Sequence, residues 1–287
     1  MSSPSPSTSP VGNPTIAFFG ATGGCANACL AHTLRAGYSA VALARTPSKL
    51  RNMLQQQDGI TEEMLATQLR IVQGDATDVV AVKRTILAGD GKLVRTIVSG
   101  IGARPSFKRQ SKCSIIPCLT LDNPQITEQG MTALVAALRE IYVEEKDSDS
   151  NSNTHDKPLL ATISSTGLTK PHEPRDVPFL MRGMYRILLA IPHADKRKME
   201  ALIEANADVF GGYVIVRPTL LTGDGKIKIT PGKGKEEDQG WRKLKVGTVD
   251  KPAVGYTIDR ADVGRWIFEE VVRAGGKRWI GEKVTLA

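Results

Sequence analysis

The stretch "IAFFGATGGCANACLAHTLRAGYSAVALARTPSKL", Ile16 to Leu50, decides the fold. Ile16 to Phe19 is an apolar run too short for a helix and rich in β-branched and aromatic residues, as a buried strand is. From Ala26 to Leu34 the apolar residues Ala28, Cys29, Leu30, Ala31 and Leu34 recur at helical spacing, and Gly37 closes the segment as a helix C-cap. Tyr38 to Ala44 then reads as a second buried strand. Between the first strand and the helix lies a turn containing Gly20, Thr22, Gly23 and Gly24, with Ala26 at the third small position of the spacing. Gly20 and Gly23 let the backbone turn tightly and approach a pyrophosphate, whose charge sits on the exposed N–H groups of the helix N-terminus. Glycines also make ordinary turns, but a turn between strand and helix is the context that nucleotide binding requires.

The end of the second strand speaks to which nucleotide. A site for NAD places Asp or Glu there to accept hydrogen bonds from the ribose hydroxyls. This chain has "ARTPSKL", so Arg45 and Lys49 offer cations suited to a 2′-phosphate, and NADP(H) is the expected cofactor. The bland alternative is that both are solvated charges following a strand.

A chain of 287 residues can bury a full core, and a doubly wound α/β sheet of this size commonly forms one domain. No apolar run approaches the ~20 residues needed to span a bilayer, so no membrane partner is expected. Residues 1–14, "MSSPSPSTSPVGNP", are Ser/Pro-rich and lack the basic start and apolar centre of a signal peptide. A disordered tail and a cytoplasmic location are expected. Cys25, Cys29, Cys113 and Cys118 lack the paired spacing of a zinc site and are read as reduced thiols, with no metal. The net charge of +8 raises nucleic acid as a partner. The basic groups at Arg104 to Lys112 and Lys226 to Lys235 have no interleaved aromatic residues to form a stacking platform, so nucleic acid is not expected.

Strand and helix continue to alternate along the chain. Leu69 to Val72, Val94 to Gly100, Leu159 to Ile163 and Tyr213 to Val216 read as strands, and Val79 to Leu87 and Gln125 to Tyr142 as helices. The polar run Lys146 to Lys157 has the composition of a surface excursion. The pattern implies a doubly wound parallel Rossmann sheet, with a ligand beyond the carboxyl ends of the strands and a small C-terminal substrate-side portion. Residues 15–287 are expected to form a single domain with substrate-side loops at 101–121, 167–191 and 222–255.

"FFGATGG", "ALARTPSKL", "GDATD", "ISSTG", "VIVRPTLLTGDG" and "YTIDRADVGRWIFEEV" occur in the order and spacing of the atypical short-chain dehydrogenases. The chain resembles their NAD(P)-binding NmrA-like group and, within it, the averufin oxidase-type proteins of fungal secondary metabolism. The resemblance spans roughly Thr15 to Ala287. It implies that Asp75 lies near the adenine edge, where a carboxylate can accept from an exocyclic amine, although a turn cap explains it too. It implies that Ser99 and Gly100 pack against the cofactor, and that Arg217 and Pro218 form a post-strand turn beside the nicotinamide. Either Asp259 or Asp262 can cap a helix over Val263 to Val272.

Short-chain dehydrogenases use a serine to hold the substrate oxygen, a tyrosine to move the proton and a lysine four residues later that lowers the tyrosine pKa. By this resemblance Ser164 and Ser165 supply the first role and Lys196 the last, or Lys196 binds the nicotinamide ribose without acid–base work. Pro192 then stands where the tyrosine belongs. His193 and Tyr185 are the two residues that can substitute for it, and each has an equally good structural explanation.

The substrate side carries Arg104, Phe107 and Lys108 in one loop, and Pro171, Pro174, Phe179, Met181, Met184 and Tyr185 in another. These suit a flat, partly anionic or phenolic small molecule, or a hydrophobic interface. Two functions follow. One is an NADPH-dependent oxidoreductase acting on a carbonyl, quinone or polycyclic aromatic intermediate. The other is a non-catalytic NmrA-like sensor, whose NADP(H) occupancy changes contact with a protein partner.

Overall fold

The computed structural model describes residues 14–103, 105–108, 118–148, 156–228 and 237–287. The first half runs β1 (Thr15–Phe19), α1 (Gly24–Arg35), β2 (Ser39–Ala44), α2 (Pro47–Gln55), α3 (Glu62–Thr67), β3 (Leu69–Gln73), α4 (Val79–Ile86) and β4 (Thr96–Ser99). A hairpin of β5 (Pro105–Lys108) and β6 (Cys118–Leu121) leads into α5 (Ile126–Ser148) and β7 (Leu159–Ile163). After these come α6 (Arg182–Leu188), α7 (Ala190–Ala205), β8 (Gly212–Pro218) and β9 (Leu220–Thr222). The chain ends with β10 (Val246–Gly247), β11 (Thr257–Asp259), α8 (Arg260–Trp266) and β12 (Lys283–Leu286).

The main sheet has the order β3-β2-β1-β4-β7-β8-β12-β10, and every neighbouring pair is parallel except β12 with β10. The chain moves outward from β1 to β2 and β3, then returns to lay β4 on the opposite side of β1. That reversal opens a crevice at the carboxyl ends of β1 and β4, where a doubly wound sheet binds its ligand.

Alternation along β1 explains the two layers of helices. Ile16 and Phe18 join one core cluster with Leu30, Trp266 and Phe268, while Ala17 and Phe19 join the other with Val82, Met131 and Leu138. A strand sends successive side chains to opposite faces, so a strand covered on both faces must be apolar throughout. Helix α1 is buried from Cys25 to Leu34 because α8 covers its outer side. Gly264 permits the approach: a Cβ there would stand 2.5 Å from the Cys25 carbonyl oxygen and 2.8 Å from the Cys29 nitrogen.

Several boundaries differ from the sequence reading. Helix α5 continues to Ser148 and absorbs the start of the polar run, with Glu144 paired to Lys83 at 2.5 Å. The helix expected over Val263 to Val272 begins at Arg260 and changes to π-helical winding from Ile267 to Arg273. Its cap is Asp259, whose Oδ1 accepts from the Ala261 N–H at 2.7 Å. Strand β8 continues through Arg217 and Pro218, so these two residues are not in a turn. The tail up to residue 13, Arg104, Cys113 and residues 149–155 lie outside the described residues, as do the side chains of Phe107, Lys108 and Cys118. Among the described residues no helix is long and apolar enough to cross a membrane, and no acidic, cysteine or histidine cluster could hold a metal ion.

Gly264→Ala is expected to lower stability by about 1–3 kcal/mol, the range for overpacking a closed interior. The measurement is the urea midpoint at unchanged slope. A midpoint equal to that of the parent protein would show that α1 and α8 separate without cost.

Candidate active site

A groove of about 400 Å³ lies at the switch point, lined by Gly20, Thr22, Gly23, Arg45, Asp75 and Gly100. Gly20 has φ +68°, and a Cβ there would stand 2.5 Å from the Gly100 carbonyl, so both conformation and contact require glycine. At Gly100 a Cβ would meet that of Ala26 at 2.7 Å. The turn is thereby pressed against the end of β4. Helix α1 starts at this turn with no side-chain cap and no acidic residue in its first turn. Its leading N–H groups therefore face the groove without a side-chain acceptor, which is the donor set a diphosphate takes.

Arg45 is exposed at the end of β2 and lines the groove. No carboxylate among the described residues lies within ion-pair distance of it. Asp75 both caps a turn and lines the groove: its Oδ1 accepts from the Thr77 N–H at 3.0 Å and the Thr77 hydroxyl at 2.8 Å. The Thr77 N–H holds its carboxyl below the usual range against partial burial, helped by the Thr77 hydroxyl and the Arg45 guanidinium. The other candidates sit elsewhere. Lys49 is exposed on α2, outside the groove lining, and Ser99 is buried within β4. Gly24 packs beneath Arg260, whose Cδ would be 2.6 Å from a Cβ at that position.

Arg260 is a groove residue that the sequence reading passed over. It arrives from the start of α8 and donates from Nη1 to the Gly223 carbonyl at 2.6 Å. A cation in the first turn of a helix opposes the helix dipole. That mismatch, directly after the Asp259 cap, was the available signal.

The expected catalytic residues gather at the end of β7 and along α7. His193, Lys196 and Glu200 are spaced to share one helix face, and Pro192 occupies the first turn, where its missing N–H costs nothing. Glu200 and Arg217 are both 3% exposed, and their forked pair closes at 3.0 Å and 2.5 Å. Ser164 donates to the same carboxylate at 2.6 Å. Arg217 thus directs its guanidinium at Glu200, and Ser164 shares that buried network. Pro218 contributes its carbonyl to the Thr166 N–H at 3.1 Å.

The half-buried serine is Ser165. Its hydroxyl donates to the Thr166 carbonyl at 3.0 Å and lies 3.5 Å from His193 Nε2. Tyr185 tilts against His193 with ring centroids 5.8 Å apart. Lys196 donates from Nζ to the Ile163 carbonyl at 2.8 Å. The Ile163 side chain packs toward the groove residue Gly100, where a Cβ would stand 3.4 Å from its Cδ1. Burial pulls the Lys196 ammonium down to about 8 against the attraction of Glu200 and Asp195. Burial also pulls His193 down to about 4, with Arg197 and Lys196 adding to it and Glu200 opposing. The Tyr185 phenol is pushed up, chiefly by burial. Near neutral pH the imidazole is therefore neutral and the phenol holds its proton.

A second cavity, of about 440 Å³, opens beside Gly167, Tyr185 and His193. Of the apolar substrate-side residues expected from sequence, Tyr185 lines it, whereas Phe179 is 78% exposed beneath the Arg182 guanidinium. Cys25 and Cys29 are buried free thiols, and burial pushes Cys25 up to about 12, so neither is a thiolate nucleophile.

The parallel sheet with a groove at its switch point defines a Rossmann fold. Two solved short-chain dehydrogenase/reductase structures from Veillonella parvula, one of them in complex with NADP, share this fold. Their TM-scores are 0.61 and 0.60 at 12% and 13% identity, and each comparison covers 96% of this chain and 94% of the other. No family model matches the chain. Oxidase pynE of Aspergillus niger is 47% identical to it over 95% of this chain and 98% of its own. Reductase pytE of Aspergillus terreus is 42% identical over 95% and 97%. The chain belongs to the oxidoreductase family that these two proteins represent.

The depressed pKa of His193 fixes the sign of one pH dependence. As pH falls from 6.5 toward 4, the unfolded chain takes up a proton that folded His193 refuses, so stability is lost across that window. His32, pulled down to about 3 chiefly by burial, acts in the same direction. His193→Gln is expected to reduce the loss between pH 7 and pH 5 by about 1–2 kcal/mol, measured as urea midpoints at both values. An unchanged difference would show that His193 protonates freely in the folded protein.

Proposed function

We propose that the protein is an NADPH-dependent oxidoreductase acting on a carbonyl, quinone or polycyclic aromatic intermediate of fungal secondary metabolism, in the cytoplasm. The observation carrying this reading is the nearness of the open groove at α1 to Lys196, which donates to the carbonyl of Ile163, whose side chain packs toward the groove residue Gly100. The names of the two Aspergillus relatives and the resemblance to averufin oxidase-type proteins support the reaction class and the setting. The missing tyrosine at Pro192 is the feature that would favour an NmrA-like sensor, and Tyr185 offsets it by bringing a phenol to the same cluster.

The groove residues fit a dinucleotide phosphate. The turn from Gly20 to Gly23 and the leading N–H groups of α1 hold the diphosphate, with Arg260 beside them. Asp75 meets the adenine edge, and Arg45 pairs with the 2′-phosphate, as a planar guanidinium does. Bound there, NADPH supplies a hydride to the acceptor carbon. Ser165 turns its hydroxyl from the Thr166 carbonyl to the acceptor oxygen, where negative charge develops. Tyr185 keeps its proton and delivers it to that oxygen, with neutral His193 in ring contact to orient the phenol. Lys196, fixed by the Ile163 carbonyl, orients the ribose next to the reacting ring.

Arg45→Asp is expected to weaken NADPH by about 1–3 kcal/mol while leaving NADH nearly unchanged, because an anion would face the 2′-phosphate. Calorimetry with both cofactors checks this, and equal losses would remove Arg45 from the phosphate site.

Ser165→Ala is expected to lower turnover about ten- to a thousand-fold with unchanged NADPH affinity. The assay follows nicotinamide absorbance and product mass with fungal pathway extracts, and Ser164→Ala serves as the comparison. Turnover that falls with Ser164→Ala and not with Ser165→Ala would reassign the oxygen-holding group. NADPH binding without turnover on any extract would select the sensor.

A further inference from the structure

The cavity beyond His193 carries a charge that the reaction itself does not call for. Arg182 and Arg186 stand one turn apart on α6, Arg197 stands one turn after His193 on α7, and Arg175 precedes the buried Asp176. All four arginines line the space, and Asp176 is its one acidic lining residue. Among the described residues no carboxylate lies within ion-pair distance of any of the four.

Two of the guanidiniums are positioned without being neutralised. Arg182 donates from Nε to the Val177 carbonyl at 3.3 Å and lies over the Phe179 ring at 5.6 Å. Arg197 donates from Nη2 to the Gly167 carbonyl at 3.3 Å. A carbonyl or a ring face orients a guanidinium but leaves its charge and most of its N–H donors available. Asp176 does not cancel them. It is 1% exposed, its Oδ1 accepts from the Gly167 N–H at 3.0 Å, and it forms no ion pair with any of the four. The cavity is thus cationic at its walls, with Val177, Tyr185 and Ala190 offering apolar contact. Guanidinium forks match planar anions whose charge is shared by two oxygens.

We propose that this cavity is a subsite for an organic anion of that kind, a carboxylate or the enolate of a 1,3-dicarbonyl, which anchors the substrate through Arg182, Arg186 and Arg197. The proposal rests on the oxidoreductase reading only in making the bound anion a substrate. Its geometric meaning follows from His193 and Tyr185, which line this cavity and belong to the cluster at Ser165. An anion held by the arginines would direct the rest of an elongated molecule past Tyr185 toward Ser165, so the cavity selects both charge and orientation. Orientation of this sort contributes to rate by placing the reacting carbon in one pose.

The test uses the full chain without cofactor and three probes: 2-naphthoate, the neutral 2-naphthamide, and a cyclic 1,3-dione that is ionised at pH 8. Calorimetry at low and at raised salt is expected to show 2-naphthoate bound at least tenfold more tightly than 2-naphthamide, with the preference shrinking as salt rises. The dione arm reports whether an enolate replaces the carboxylate. Arg182→Gln with Arg186→Gln, both exposed positions, is expected to remove the preference, and Arg197→Gln to reduce it. NADPH titrated into the same variants is expected to bind as it does to the parent protein. Equal affinity for acid and amide, or a preference that survives in the double variant, overturns the proposal. Loss of NADPH binding in the parent protein with the acid preference intact would defeat the cofactor reading and leave this subsite standing.

Discussion

The buried pair of Glu200 and Arg217 ties the second half of the sheet to α7. Glu200 belongs to α7, Arg217 to β8, and the same carboxylate accepts from Ser164 at the end of β7 and lies 3.9 Å from Lys283 at the start of β12. Four elements thus meet at one carboxylate. Removing one member of a buried pair commonly costs about 3–5 kcal/mol, because the other charge is left without compensation, whereas an apolar replacement of both is often harmless. The pair is therefore better understood as a device for position than as a source of stability. It locks the rotation of α7 about its own axis, and His193 and Lys196 ride on the same face of that helix.

The cofactor half depends on a different constraint, the closeness of backbone to backbone. Gly20 against Gly100 and Gly264 against Cys25 bring β1, β4, α1 and α8 nearer than any side chain permits. Helix α1 then presents an uncapped N-terminus to the groove, and the two cations at its edge, Arg45 and Arg260, come from positions far apart in the chain. Between the halves lies Ile163, which packs toward Gly100 and gives its carbonyl to Lys196. A strand end shared in this way places the groove and the α7 cluster side by side.

Electrostatics sharpen the distinction between the two candidates for proton transfer. His193 and Tyr185 are in ring contact and buried together. Burial disfavours the charged form of each, so it takes the extra proton from the imidazole and keeps the phenol protonated. The same desolvation that makes His193 a poor cation makes Tyr185 a standing donor.

The strand–turn–helix at Ile16 to Leu34, the parallel strands and the position of Arg45 were legible in the sequence because they rest on local periodicity and on glycine's conformational freedom. Both are properties of neighbouring residues. The serine pair was legible only as a pair: Ser164 and Ser165 are adjacent on an extended chain and must point opposite ways, and the partner that Ser164 takes, Glu200, lies 36 residues away. Arg217 looked like a cofactor contact for the same reason, since its ion pair is invisible until α7 folds over β8. The arginine-lined cavity was scattered across a loop and two helices, and Arg260 stood far from the turn it covers. Local pattern determined the fold and the glycine turn, while long-range pairing of charges in a desolvated interior decided which polar side chains are tied up and which stay unpaired.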